Sequence, residues 1–365
     1  MAKMVKTNKK RKVVMFAVEI MILLIVLLVL FVYLKLSKID NHDSIQLKAE
    51  ELEKNEDLSE ETKVKLEEFT TIALFGLDNR SNGSFEQGNS DVIIIASINN
   101  ETKQVKMVSV YRDTYLNMTD EGKQYSKANA AYNSGGPKQA ISMLNVNLDL
   151  NIKEYVAVDF NALAEVVDLL GGIEVEVSGA ETIYMIGYLD EIAEMTGKPC
   201  RYLPGAGTYN LDGVQATAFA RVRQTTGDDF KRTERQRLVI SKMVEKALAS
   251  DLSTINKVAD EMFGEISTSL SYTEILSLAK DAFGYSLGES TGFPQEWRPA
   301  TMKLPNIKIP QECIIPADLA QNVVLLHKFL FDASEYKVTQ SVQNISSEIV
   351  SLTGKTATAA NENPK

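Results

Sequence analysis

The chain is poor in anything that would staple or repeat a fold. It has two cysteines, Cys200 and Cys313, so a disulfide framework is excluded and one bridge is the most it can form. No internal repeat is present, which excludes solenoids and propellers. Positive charge is scarce over most of its length. Eight basic residues and one acid fall within the first 38 of 365 positions, and the remainder carries a formal charge of −17. So acidic a body is no general-purpose binder of nucleic acid or anionic lipid. The last residues, "TGKTATAANENPK" (353–365), lack the apolar content to fold and read as a disordered tail.

One stretch stands out by its apolarity. Residues 13–34, "VVMFAVEIMILLIVLLVLFVYL", contain a single charge, Glu19, and are long enough as a helix to cross a bilayer. Lys3, Lys6, Lys9, Lys10, Arg11 and Lys12 precede it. That asymmetry predicts a cytoplasmic N-terminus and an extracytoplasmic body. A cleaved signal peptide is the rival reading. It calls for an apolar region of about 7–15 residues and a small-x-small site, whereas this run is longer and closes in "FVYLKLSK". The expectation is a retained single-pass anchor. The basic segment 1–12 is too short to be a DNA-binding domain. Residues 35–69 are polar and acidic with little apolar periodicity, and read as a solvated helical stalk. The two cysteines fall on the oxidising side of this topology, where they are either bridged or unrelated.

The folded body is expected over 70–352. "TIALFGL" (71–77), "DVIIIASI" (91–98) and "VKMVSV" (105–110) are short apolar runs rich in β-branched residues and predict buried strands, as do "YVAVDF" and "GIEVEV". Helical patterns cover 137–148, 161–172, 211–222, 229–250, 253–263 and 272–284. Strands alternating with helices predict an α/β/α sandwich around a central mixed sheet. Residues 178–207 fit no core pattern and read as an excursion.

Polar residues gather where strands end. "LFGLDNR" runs into Asp78 and Arg80, and Asp91 opens the second strand. Taken singly, each aspartate is a turn or cap residue; as a pair they suit a shared Mg²⁺ whose other ligands are substrate oxygens. "SVYRDTYL" ends a third strand in Arg112 and Asp113, and loops at such ends are where α/β folds bind ligands. "KANAAYNSGGP" adds Lys127, Asn129 and a glycine pair before a helix.

The densest positive charge lies in "FARVRQTTGDDFKRTERQR" (219–237), with Arg221, Arg223, Arg232, Arg235, Arg237 and Lys231. Arg232, Arg235 and Gln236 stand at i, i+3 and i+4, on one helical face that runs on through Val239, Ile240 and Met243. A solvated helix laced with ion pairs is one reading. Against it, a solvent face does not normally continue into an apolar stripe, and arginine's planar fork suits phosphate oxygens. The alternative is a ligand with a phosphate head and a greasy body.

The stretches "GLDNR", "SD" (90–91), "SVYRDTY", "KANAAYNSGGP", "YVAVDFNALAEVVDLLGGIEVEV" and "LDGVQATAFARVRQTTGDDFKRTERQR" together resemble the LytR-CpsA-Psr family of bacterial cell-envelope enzymes. The family commonly has proline where this chain has Tyr111. The resemblance implies a membrane-anchored, Mg²⁺-dependent phosphotransferase that takes a glycopolymer from a polyprenyl (undecaprenyl) pyrophosphate carrier and joins it to peptidoglycan. It implies metal ligation by Asp78 and Asp91. It implies a pyrophosphate site of Arg80, Arg112, Arg221, Arg223, Arg232, Arg235 and Gln236. Among these, Arg112 and Arg221 have catalytic roles, with Asp113 and Asp229 supporting the arginines or accepting the acceptor hydroxyl's proton. Two other readings stand beside it: a lipid pyrophosphatase using water as acceptor, and a non-enzymatic lipid-binding or regulatory envelope protein.

Overall fold

The computed structural model describes residues 47–77, 85, 86, 88–119, 124–223, 228–262, 266–270, 274, 278 and 284–357. The apolar run 13–34, Asp78, Arg80, most of the expected helix 272–284 and the tail from 358 lie outside them.

A six-stranded mixed sheet forms the centre. Its strands are β1 (Phe69–Leu77), β2 (Ser90–Asn99), β3 (Gln104–Val110), β6 (Glu154–Val158), β9 (Ile266–Thr268) and β10 (Ser286–Phe293), in the order β10-β3-β2-β1-β6-β9. The meander β1-β2-β3 is antiparallel, while β6 joins β1 and β10 joins β3 in parallel. Both faces are covered, which is why the strands read as nearly continuous apolar runs rather than alternations. Side chains still divide by parity. Phe75, Leu77, Ile93 and Ile95 enter the main core with the helices Ala130–Leu148, Leu319–Phe331 and Gln340–Thr353. Ile94, Ala96, Leu74 and Val92 face the other way, against Ile240 of the helix Asp228–Leu248. A fully buried side chain such as Phe75 contributes about 1.5–3 kcal/mol.

A second core closes that other face. It joins the helices Phe160–Leu169, Gly179–Thr196 and Gly213–Arg221 to the antiparallel pair of β7 (Ile173–Val177) and β8 (Gly207–Leu211). Gly213 permits the close crossing of two of these helices, since a Cβ there would overlap the Ala164 carbonyl. Gly136, at φ +64° beside Gly135 and Pro137, supplies the kink inside Ala130–Leu148.

Two expectations are corrected. From residue 47 onward the supposed stalk is part of the domain: Leu52, Leu58 and Leu66 lie in the main core. Asn55 is buried, and its amide donates to Asp149 and to the Val146 carbonyl. The apolar residues are too widely spaced to show as a helical stripe because the helix Glu60–Glu67 is short and its neighbours run irregularly. Residues 178–207 are not an excursion either. Ser178 and Glu181 form a capping box that opens the helix Gly179–Thr196, whose Met185, Leu189 and Ile192 are buried. The S-x-x-E spacing was the available signal.

Candidate active site

Between the sheet and the second core lies a cavity of about 480 Å³. Its position follows from the parity of the strands. Leu74 and Gly76 of β1, Val92 of β2, and Val156 and Val158 of β6 form its floor. Phe160, Leu163 and Val166 form one wall, and the helix Asp228–Leu248 forms another. Along that helix Arg232, Gln236, Val239, Ile240 and Met243 line the cavity in one stripe, spanning about 16 Å at helical rise. Guanidinium and amide groups thus give way to a purely apolar wall.

Burial excludes the solvated-face reading of this helix. Arg232 is 3% exposed, Arg235 5% and Arg237 8%, and arginine is almost never so buried unless it is paired or holds a ligand. Lys231, by contrast, behaves as a surface cation, paired with Glu234 at 2.7 Å.

Asp91 lies at the cavity where β2 begins. Arg112 Nη1 donates to both of its carboxylate oxygens at 3.0 Å, and Arg223 Nη2 donates to Oδ2 at 3.1 Å. The neighbours Arg112 and Asp113 do face each other, Nε donating to Oδ2 at 3.3 Å, and Lys127 Nζ lies 2.8 Å from Asp113 Oδ1. The register Tyr115↔Lys127 in the ribbon β4 (Tyr115–Asn117) and β5 (Tyr125–Lys127) sets that last pair.

Arg221, at the end of Gly213–Arg221, lies over the Phe160 ring at 4.5 Å and the Tyr188 ring at 5.3 Å, and donates to Glu191 at 3.1 Å. Its Nη1 is buried and makes no hydrogen bond among the described residues. A buried donor left over in a ligand-sized cavity is what an anion would satisfy.

Sequence reasoning therefore located Asp91, Arg221, Arg223, Arg232 and Gln236, which converge on one cavity, with Arg112 and Asp113 joined to it through Asp91. Arg235 is placed differently. It donates to Glu181 at 2.7 Å and to the Val222 carbonyl at 2.8 Å, tying the arginine helix to the second core, and does not line the cavity. Burial pushes the Glu181 carboxyl up, but the donors Arg235 and Ser178 outweigh it and hold the group below its ordinary range. Asp229 lies within the helix Asp228–Leu248, and its side chain is outside what is described. Sequence reasoning missed Phe160, Tyr188 and Glu191, because two of them sit in the segment taken for an excursion. It also missed Asp159, which lines the cavity and caps Phe160–Leu169; burial raises its carboxyl, partly offset by the Ala162 amide.

Tyr111 packs edge-on against Phe230 at 4.6 Å, and Phe230 stacks on Trp297 at 4.8 Å. The loop carrying Arg112 is thus held by an aromatic ring where the family commonly has proline.

The two cysteines are free, which corrects the possible bridge. Cys313 is in the main core on the strand Gln311–Pro316, and Cys200 packs against the second core. Their sequence context gave no measure of that separation.

The profile of the LytR_cpsA_psr family matches residues 27–287. The chain belongs to the LytR_cpsA_psr family. Among its curated relatives is a polyisoprenyl-teichoic acid–peptidoglycan teichoic acid transferase, TagU, of Enterococcus faecalis. The two are 33% identical over 62% of this chain and 72% of that protein. TagV of Bacillus subtilis, named for the same activity, is 29% identical over 55% of this chain and 50% of its own length. The crystal structure of B. subtilis TagV shares the LytR_cpsA_psr fold, with a TM-score of 0.57 at 24% identity over 74% of this chain and 99% of that one.

Proposed function

We propose that the chain is a single-pass, membrane-anchored phosphotransferase moving a glycopolymer from a polyprenyl pyrophosphate carrier onto peptidoglycan through a phosphodiester bond. One observation carries this reading: a single cavity presents arginines at one end of a helical stripe and only apolar side chains at the other. The arginines match a pyrophosphate and the apolar slot matches a prenyl chain. The activity in the names of the relatives supports the same reading, and the apolar run 13–34 would keep the enzyme where a lipid-linked donor is confined.

Phosphoryl transfer needs positioning and charge neutralisation more than covalent help. Arg221, Arg223, Arg232 and Gln236 hold the pyrophosphate from the cavity wall, Arg112 closes on it from the end of β3, and Arg80 adds a further guanidinium. Arg221 is kept in place by Phe160, Tyr188 and Glu191. Asp113, held between Arg112 and Lys127, orients both cations. Asp113 or Asp229 takes the proton of the attacking sugar hydroxyl. The hydroxyl oxygen bonds to the glycan-linked phosphorus as the bond to the polyprenyl phosphate breaks, and polyprenyl phosphate leaves. Guanidinium groups fixed in a dry site stabilise the charge that develops on it. Asp91, a carboxylate at the cavity, has the chemistry for Mg²⁺, a hard cation bound by one or two carboxylates with phosphate oxygens completing its shell. Asp91 and Asp78 would hold it, and it would neutralise pyrophosphate charge.

The test is transfer of radiolabelled glycan from a polyprenyl pyrophosphate donor to peptidoglycan by the full chain in detergent. Wall-linked product supports the reading. Free phosphorylated glycan makes the protein a pyrophosphatase, and bound lipid without turnover makes it a lipid-binding protein.

A further inference from the structure

We propose that the outer face of the helix Gly179–Thr196 rests on the bilayer and passes the prenyl chain to the cavity. The inference rests on the prenyl-donor reading above. The first half of this helix, "GAETIYMIGYL", is apolar on nearly all sides. Met185 and Leu189 point into the second core, yet Ile183 is 67% exposed, Ile186 48% and Tyr184 40%. Tyr202, bonded through its hydroxyl to Asp190 on the same helix, extends the patch and is 57% exposed. A helix that is hydrophobic all round is normally covered, and a contiguous exposed apolar patch marks a contact surface.

Two observations select a bilayer as the cover. Only the residues between Leu34 and Leu47 separate the apolar run from the described domain. At about 3.4 Å per extended residue, they cannot carry the domain further than about 45 Å from the membrane. The patch also borders the cavity: Tyr184 is exposed, and Tyr188, one turn on and on the same side of the helix, lines the cavity with its ring under Arg221. A prenyl-linked pyrophosphate leaving the membrane under this helix reaches the cavity at Tyr188 and Arg221, from which its chain extends along the apolar wall. Tyrosine at the edge of such a patch suits the interface, with its ring in the acyl boundary and its hydroxyl among headgroups. The helix itself carries no lysine or arginine; Arg201, beside Tyr202, is outnumbered by the acids Asp190, Glu191 and Glu194, and Glu181 is paired with Arg235. Contact is therefore made by apolar burial, and salt should not release it.

The test uses the full chain, Cys200→Ser, reconstituted in vesicles of phosphatidylethanolamine and phosphatidylglycerol. A nitroxide is attached at Ile186→Cys or, for comparison, at Ile309→Cys, an exposed residue outside the second core. The label at 186 should be several-fold less accessible than that at 309 to a water-soluble nickel chelate, and more accessible to oxygen, at low and high salt alike. Equal nickel access at the two sites overturns the proposal. So does protection at 186 that appears only in native membranes, which would assign the patch to a protein partner. The Ile183→Asp/Ile186→Asp variant should lose transfer from a long-chain donor in vesicles and keep wild-type rates with a short-chain, water-soluble donor, at an unchanged melting temperature. Equal loss with both donors also counts against it. If wild type transfers from neither donor, the functional reading fails while the label still reports whether the helix docks.

Discussion

Arg112 Nη1 sits 3.0 Å from both carboxylate oxygens of Asp91, and Arg223 reaches the same carboxylate. A residue proposed to bind metal is thus held by two residues proposed to bind phosphate. A cation bound there would compete with both guanidinium groups for one carboxylate and would free the arginines for a pyrophosphate. Asp91→Asn should cut transfer by 100-fold or more, on the order of 3 kcal/mol of transition-state stabilisation, and EDTA should do the same to wild type reversibly. Single-turnover transfer checks both. Full activity in EDTA would return Asp91 to a purely structural partner of Arg112.

The arginines can be separated by replacing them with lysine, which keeps charge and loses the planar fork. Arg112→Lys and Arg232→Lys should each slow transfer about 30- to 1000-fold, the equivalent of about 2–4 kcal/mol. Arg235→Lys should act differently. It removes the tie to Glu181 and the Val222 carbonyl, so its main effect should be a lower melting temperature. A variant set in which all three transfer at the wild-type rate would make the cluster a structural one.

The cysteines should react as independent thiols. Denatured, unreduced protein should take up two alkyl groups by mass spectrometry. In the folded protein Cys313 should lag far behind Cys200, since it is buried and burial pushes its thiol up to about 11. A bridged species in protein from the native host would contradict this.

His327 gives the fold a pH dependence. The imidazole is buried, stacked on Tyr336 at 3.7 Å, and its Nε2 is 2.9 Å from the Leu148 carbonyl. Burial lowers its pKa from 6.5 to about 4, against the pull of that carbonyl and of Asp149. The neutral ring is therefore the folded form. Between about pH 6.5 and 4 the unfolded chain binds a proton that the folded chain refuses, so this contribution is complete above that window and is lost as pH falls through it. The slope should approach about 1.4 kcal/mol per pH unit. Urea melts across the window should show that loss in wild type, and His327→Gln should flatten it. An equal slope in the variant would place the dependence elsewhere.

Some of this was legible in the sequence because it is local. Continuous β-branched runs announce strands buried on both faces, and Val108 and Ile94 are indeed fully buried. The spacing of Arg232, Arg235, Gln236, Val239, Ile240 and Met243 suggested one face with a charged head and an apolar body, and all of them but Arg235 line one cavity. The LytR_cpsA_psr motifs identified the family for the same reason: they are short and ordered along the chain. What the tertiary structure decided is nonlocal. Asp91 meets Arg112 across 21 residues and Arg223 across 132, and those meetings depend on the order β3-β2-β1-β6, which no periodicity specifies. Asn55 can be buried only because Asp149 and Thr339 are folded against its amide. Ile183 and Ile186 look alike to a sequence reader beside Met185 and Leu189, and only the packing of the second core determines which pair is left facing out.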